Sequence, residues 1–214
     1  LINLGYFYRN LKDNKSAEKE FLKAKDIIKN TLSENHPYYA FTINYLAAIN
    51  GTFAQEQEDP DSILYYYDIA EKYVIQALSI WKNVYGQEHN RYTASLKLMA
   101  SIFETKGSVF LFNSDSIKDT KIIQESFDKA EKYYIACMDN LRKRFSAYLS
   151  FLSGKEKELY FKTKASYFNL FNAFAYKQYK YNPDISCELY NNVIRNKGLL
   201  LKSSTALRNA VLQT

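Results

Sequence analysis

The sequence predicts an all-α protein: an α-α solenoid of about three helical hairpins with enlarged loops, followed by a C-terminal helical segment. Three observations carry this expectation. Glycine and proline are scarce, 6 and 3 residues out of 214, too few for the turns of a strand-rich fold. Hydrophobic residues make up 47% and charged ones 24%, which excludes a disordered chain and leaves enough apolar surface for a real core. The chain also repeats itself. Ala17-Glu18-Lys19-Glu20-Phe21-Leu22-Lys23-Ala24 aligns with Ala70-Glu71-Lys72-Tyr73-Val74-Ile75-Gln76-Ala77 and with Ala130-Glu131-Lys132-Tyr133-Tyr134-Ile135-Ala136-Cys137, at offsets of 53 and 60 residues. Self-similarity at that period marks stacked supersecondary units.

Taken in order, Leu1, Leu4, Gly5 and Tyr8 define a first helix that ends near Asn10–Asp13. Ala17, Phe21, Ala24 and Ile28 recur at steps of four, three and four, one face of a second helix. Small alanines on that face permit close helix approach, with an aromatic ring filling the gap beside them. His36-Pro37 opens the third helix, with proline at a first-turn position where its missing N–H costs nothing. At the same 53-residue offset, His89 opens a later helix, Thr93-Ala94 follows, and Leu46-Ala47-Ala48-Ile49 pairs with Met99-Ala100-Ser101-Ile102. The two histidines are read as equivalent helix-start residues, not as a paired site.

The order Leu1, Leu4-Gly5, Tyr8, Ala17, Phe21, Ala24 resembles the tetratricopeptide (TPR) pattern. His36-Pro37-x-x-Ala40-x-Thr42-Ile43-Asn44-x-Leu46-Ala47 resembles its kinesin-light-chain variety. The resemblance covers residues 1–151 as a helical repeat region. Standard repeats of the family are about 34 residues long, so the longer period here implies enlarged hairpin loops, at Gly51–Ser62 and at Gly107–Ile122. The first holds the acidic stretch Glu56, Glu58, Asp59 and Asp61 around Pro60, read as a solvated connection over a charged docking loop; in the second, Ser108-Val109-Phe110-Leu111-Phe112 is read as prolonging the helix before Asn113-Ser114-Asp115. A calcium-loop reading of the segment after Asn113 fails, because Ile117 stands where a third oxygen ligand is required.

The family's fold implies a concave face lined by the first helix of each hairpin, suited to an extended peptide or a partner helix. Its inward positions fall here on Ile2, Tyr6, Arg9 and Asn10, on Phe41, Asn44 and Ala48, and on Ala94, Lys97, Ser101 and Glu104. Of the paired Lys and Asn residues of the family's chaperone-tail clamp only Asn44 and Lys97 are present, so that clamp is not expected.

Beyond Leu152 the repeat stops. Ser153-Gly154-Lys155-Glu156 is a capping box, and a helix of about 25 residues follows. Tyr167, Phe168, Phe171 and Phe174 stand at helical spacing there and are read as core, against the alternative of a base-stacking platform. Asn182-Pro183-Asp184 opens a last helix. Tyr167-Phe168-Asn169-Leu170-Phe171-Asn172-Ala173-Phe174-Ala175, Tyr190-Asn191-Asn192 and Lys197-Gly198-Leu199-Leu200-Leu201-Lys202-Ser203-Ser204 resemble the helical segment that joins TPR arrays to the CHAT domain, a caspase-like cysteine-protease module of bacterial proteins. Residues 152–214 are expected to pack on the array and to lead toward such a domain. Residue 1 is Leu, and the chain is expected to be part of a longer protein.

The formal net charge is +6. From Leu141 onward thirteen basic residues face four acidic ones. That imbalance supports an alternative function class, nucleic-acid binding through the C-terminal third, although no basic run exceeds Arg142-Lys143-Arg144. Cys137 stands where the sister repeats place Ala24 and Ala77 and is read as a small core residue. Two cysteines and two histidines without ligand spacing exclude a zinc site. No phosphate-cradling glycine loop or catalytic triad order occurs. The expectation is a non-catalytic protein-interaction module with no metal, cofactor or small-molecule substrate. Its partner would be a protein or peptide, including an attached protease domain in cis. No apolar run approaches the roughly 18 residues of a membrane span, and cytoplasmic placement is expected.

Overall fold

The computed structural model describes residues 1–113, 117–149 and 152–212, which form eight α-helices with no strand among the described residues. In chain order they are α1 (Ile2–Asn10), α2 (Asn14–Thr31), α3 (Pro37–Gln55), α4 (Pro60–Tyr85), α5 (Asn90–Asn113), α6 (Ile117–Leu149), α7 (Gly154–Gln178) and α8 (Ile185–Leu212). Packing divides them into two compact units, Leu1–Tyr133 and Tyr134–Thr214, the division falling inside α6.

The helix starts are set by side chains that satisfy first-turn amides. Asp13 accepts from the Ser16 N–H at 3.0 Å and Asp59 from the Ser62 N–H at 2.8 Å. The histidines play one role twice: His36 Nδ1 accepts from the Tyr38 N–H at 3.1 Å, and His89 Nδ1 from the Arg91 N–H at 3.2 Å. Gly86, at φ +84°, closes α4 in a conformation that L side chains rarely adopt.

The face read from the repeat is buried each time it occurs. Ala17, Phe21, Ala24 and Ile28 are 0–8% exposed. Their equivalents Ala70, Val74, Ala77 and Trp81, and Ala130, Tyr134, Cys137 and Leu141, are all at 4% or below. In the first unit Ala17 and Phe21 pack with Leu46, Ile49 and Phe53 of α3. Ala24 and Ile28 pack with Tyr39, Ala40, Ile43, Ala77 and Trp81. Close approach fixes Gly5, because a Cβ there would lie 2.9 Å from the Phe21 ring; at Gly107 the same atom would lie 2.7 Å from the Phe127 ring.

The first enlarged loop is corrected by the structure, where the extra residues lengthen helices instead; in the second, Ser108–Phe112 prolong the helix as expected. Gly51–Gln55 continues α3, and only Glu56–Asp59 separates it from α4; α5 runs on to Asn113. The added turns persist because they carry core of their own. Phe53, Ala54, Ile63 and Tyr67 are buried, and Phe53 meets Tyr66 edge to face at 5.7 Å. Of the acidic stretch, Asp59 caps α4 and Asp61 lies in its first turn. Ser114–Ser116, in the rejected calcium loop, lie outside the described residues.

In the second unit, Ser153 and Glu156 form the expected capping box and α7 spans 25 residues. Phe168, Phe171 and Phe174 are buried at 5%, 0% and 1%. Phe171 and Phe174 contact Tyr134 at 6.3 and 5.2 Å between ring centres. The start of α8 needs correction. Asn182, Pro183 and Asp184 form a tight turn, their carbonyls accepting from the N–H groups of Ile185, Ser186 and Cys187, and the helix proper begins at Ile185. The seam between α7 and α8 contains a polar network. Asn192 donates to Asn172 at 2.8 Å, Asn196 donates to Asn192 at 3.3 Å, and Arg142 of α6 donates to both Asn192 and Asn196.

Candidate functional site

α1, α3 and α5 of the first unit bring several of the expected partner-facing residues to one place. Arg9, Phe41, Asn44, Ala48, Ala94 and Lys97 line a cavity of about 250 Å3, together with Tyr45, Arg91 and Leu98. Tyr6 stands beside it, edge to face with Tyr45 at 5.9 Å. Asn10, Ser101 and Glu104 are not among the lining residues: Asn10 and Ser101 are exposed elsewhere, and Glu104 lies farther along α5. Ile2 lines a different, apolar cavity of about 530 Å3 with Ala24, Ile27, Ile28, Tyr38 and Phe41.

Tyr45 organises the site. Its ring stacks on Phe21 at 4.9 Å and 2°, meets Phe41 edge to face at 4.9 Å, and carries the Arg9 guanidinium at 5.5 Å. Arg91 lies over Phe41 at 4.5 Å. Such cation–π contacts are worth roughly 0.5–1 kcal/mol at exposed sites, enough to orient a guanidinium while its N–H groups remain open to an acceptor. Burial pushes the Tyr45 phenol above its ordinary range, while Arg9 and Arg91 pull it the other way; it stays a neutral hydroxyl at physiological pH.

Asn44 fixes the gap between α3 and α5 by donating to Ser95 Oγ at 2.6 Å, and Ser95 in turn donates to the Arg91 carbonyl at 3.1 Å. The Asn44 Oδ1 is buried without a partner. Lys97 occupies on α5 the repeat position of Asn44 on α3. Three cations, Arg9, Arg91 and Lys97, thus line a cavity that no carboxylate lines. The arrangement can hold an anionic or acceptor-rich chain beside aromatic surface. It contains no nucleophile with a base.

Tyr45 and Arg91 escaped the sequence reading. The available signal was the 53-residue register, in which Arg91 replaces Tyr38 two residues after the equivalent histidine. The C-terminal residues that motivated the nucleic-acid alternative fall as follows. Phe168, Phe171 and Phe174 are core, and Arg142 and Arg144 of the basic triplet turn inward, leaving Lys143 exposed. Arg142 ion-pairs with Asp139 at 2.8 Å, and burial holds its guanidinium below the usual range. Cys137 is buried at 2%, while Cys187 is exposed. Among the described residues no three His, Cys, Asp or Glu gather to hold a metal, and no helix is long and apolar enough to cross a membrane.

Residues 1–38 and 62–99 match the family model of the tetratricopeptide repeat. Each stretch contains one Ala-Glu-Lys block and one of the helix-start histidines, so the chain is similar to TPR repeats over these two stretches of its first unit. No curated protein matches the chain.

Proposed function

We propose that the first unit is a protein-interaction module that captures an acidic, extended segment of a partner along α1, α3 and α5. One observation carries the reading: Arg9, Arg91 and Lys97 converge on a cavity that no acidic side chain lines. Phe41, Tyr45 and Tyr6 offer apolar contact beside the cations. Contacts of this kind combine charge-assisted hydrogen bonds with aromatic packing. An Asp/Glu-rich peptide array probed with the labelled chain should select acidic sequences. Arg9→Gln and Lys97→Gln should each weaken the selected peptide by about five- to ten-fold, with affinity falling as salt rises. A preference for neutral or basic peptides would sink the reading.

The finer identification rests on resemblance. The kinesin-light-chain-like histidine motif and the CHAT-adjacent pattern support a regulatory role, in which partner capture controls a protease that follows in the same cytoplasmic chain. The unbroken course of α8 through Lys197 and Gly198 to Leu212 suits a joining helix. A parent coding sequence without a His…Cys caspase-like block downstream would remove this part and leave peptide capture standing.

A further inference from the structure

A second cavity, of about 290 Å3, lies where α3, α4 and α5 meet and is lined by Tyr38, Phe41, Trp81, Tyr85, His89 and Arg91. Its lining consists of planar surfaces. Trp81 and Tyr85 stack at 6.0 Å and 16°, and Tyr85 and His89 at 4.5 Å and 29°, so three rings continue one another from the end of α4 into the start of α5. The Arg91 guanidinium, parked on Phe41 at 4.5 Å, contributes another planar group and a fixed positive charge. No acidic side chain lines the cavity. The indole N–H of Trp81 is buried without an acceptor, an exception to the satisfaction expected of buried donors.

Flat aromatic walls favour a flat ligand. A guanidinium held as a rigid fork favours a carboxylate, which it can bind through two parallel hydrogen bonds. We propose that this corner is a binding site for a small planar anion of the aryl-carboxylate class, with the carboxylate on Arg91 and the ring against the exposed Tyr85, beside the buried Trp81. The site is distinct from the peptide groove and does not depend on the peptide reading. The two share Arg91 and Phe41, so a ligand at the corner competes for the guanidinium that the groove also uses.

Trp81 is the chain's single tryptophan, so its emission reports occupancy directly. Benzoate is titrated against the full chain, followed by Trp81 fluorescence and by saturation-transfer NMR of the probe, with benzamide and cyclohexanecarboxylate as controls for charge and flatness. Benzoate should bind saturably, and each control about ten-fold more weakly. Tyr85→Leu, at a residue half exposed, should weaken benzoate by about ten-fold while keeping acidic-peptide capture. Lys97→Gln should do the reverse. Arg91→Gln, also on an exposed residue, should weaken both ligands, and it serves as the reporter if Tyr85→Leu does not fold. The inference is overturned by the absence of any saturable change up to about 10 mM benzoate, by equal binding of either control, or by loss of benzoate in Lys97→Gln. None of these outcomes bears on peptide capture, which is read separately.

Discussion

Between α2 and α3 an apolar cluster of Ala17, Phe21, Leu46, Ile49 and Phe53 packs together. Between α7 and α8 a hydrogen-bonded network of Asn172, Asn192 and Asn196 joins the helices, with Arg142 reaching in from α6 and apolar residues such as Phe168 and Val193 beside it. The first kind of seam is non-directional. Alanine and an aromatic ring at the right period give a buried face wherever they recur, so the same block can be used three times. The second is directional. Each amide must meet a particular partner, so it fixes one register and does not propagate along the chain. The contrast explains why the first unit announces itself as a repeat and the second does not.

The comparison can be broken or sharpened by substitution. Phe21→Ala removes a ring that is fully buried, stacked on Tyr45 and seated against Gly5. A loss of about 3–5 kcal/mol is expected, read as a lower denaturant midpoint; a loss comparable to that of a surface substitution would mean the apolar seam does not hold the first unit. Arg142→Met strips three hydrogen-bond partners from the second unit and should cost about 2–3 kcal/mol. Adding Asn192→Leu to that variant should cost less than the sum of the two single changes, since both act on one network; simple additivity would show the seam to be a set of independent contacts. Gly5→Ala places a methyl group 2.9 Å from the Phe21 ring and should cost about 1–2 kcal/mol. Combining it with Phe21→Leu should recover part of that loss.

The smallest effect is that of pH on the helix starts. Asp13, Asp59 and Glu156 are held below the ordinary carboxylate range, chiefly because each accepts from the side chain of its serine partner, Ser16, Ser62 or Ser153. A carboxyl whose folded value is depressed stabilises the fold fully above its unfolded value, and the contribution is lost as pH falls through the folded one. Thermal midpoints should therefore decline on acidification below about pH 4, and more gently in Asp59→Asn. An identical acid profile in that variant would show that the Asp59 cap carries none of the decline.

Much of the first unit could be read without coordinates. The positions of Ala17, Phe21 and Ala24 and the two histidine starts follow from period and cap chemistry, which are local. The lengths of α3 and α4 did not follow. Gly51 and Gly107 look like loop residues until Ile102 and Phe127 are seen packed over them. In the candidate groove, Arg9, Phe41, Asn44 and Lys97 were found by transferring repeat positions. Tyr45 was missed because its importance comes from touching Phe21, Phe41, Tyr6 and Arg9 at once, a convergence of three helices that no spacing within one helix reveals.

Periodicity alone determined that the chain is helical, that its blocks are equivalent and which face of each block is buried, because a helix repeats its faces every 3.6 residues whatever surrounds it. Tertiary structure decided where the helices end, that Arg142 serves the core instead of the surface, and which cations share a cavity. Those outcomes depend on distances between residues tens of positions apart, fixed only once the helices have packed.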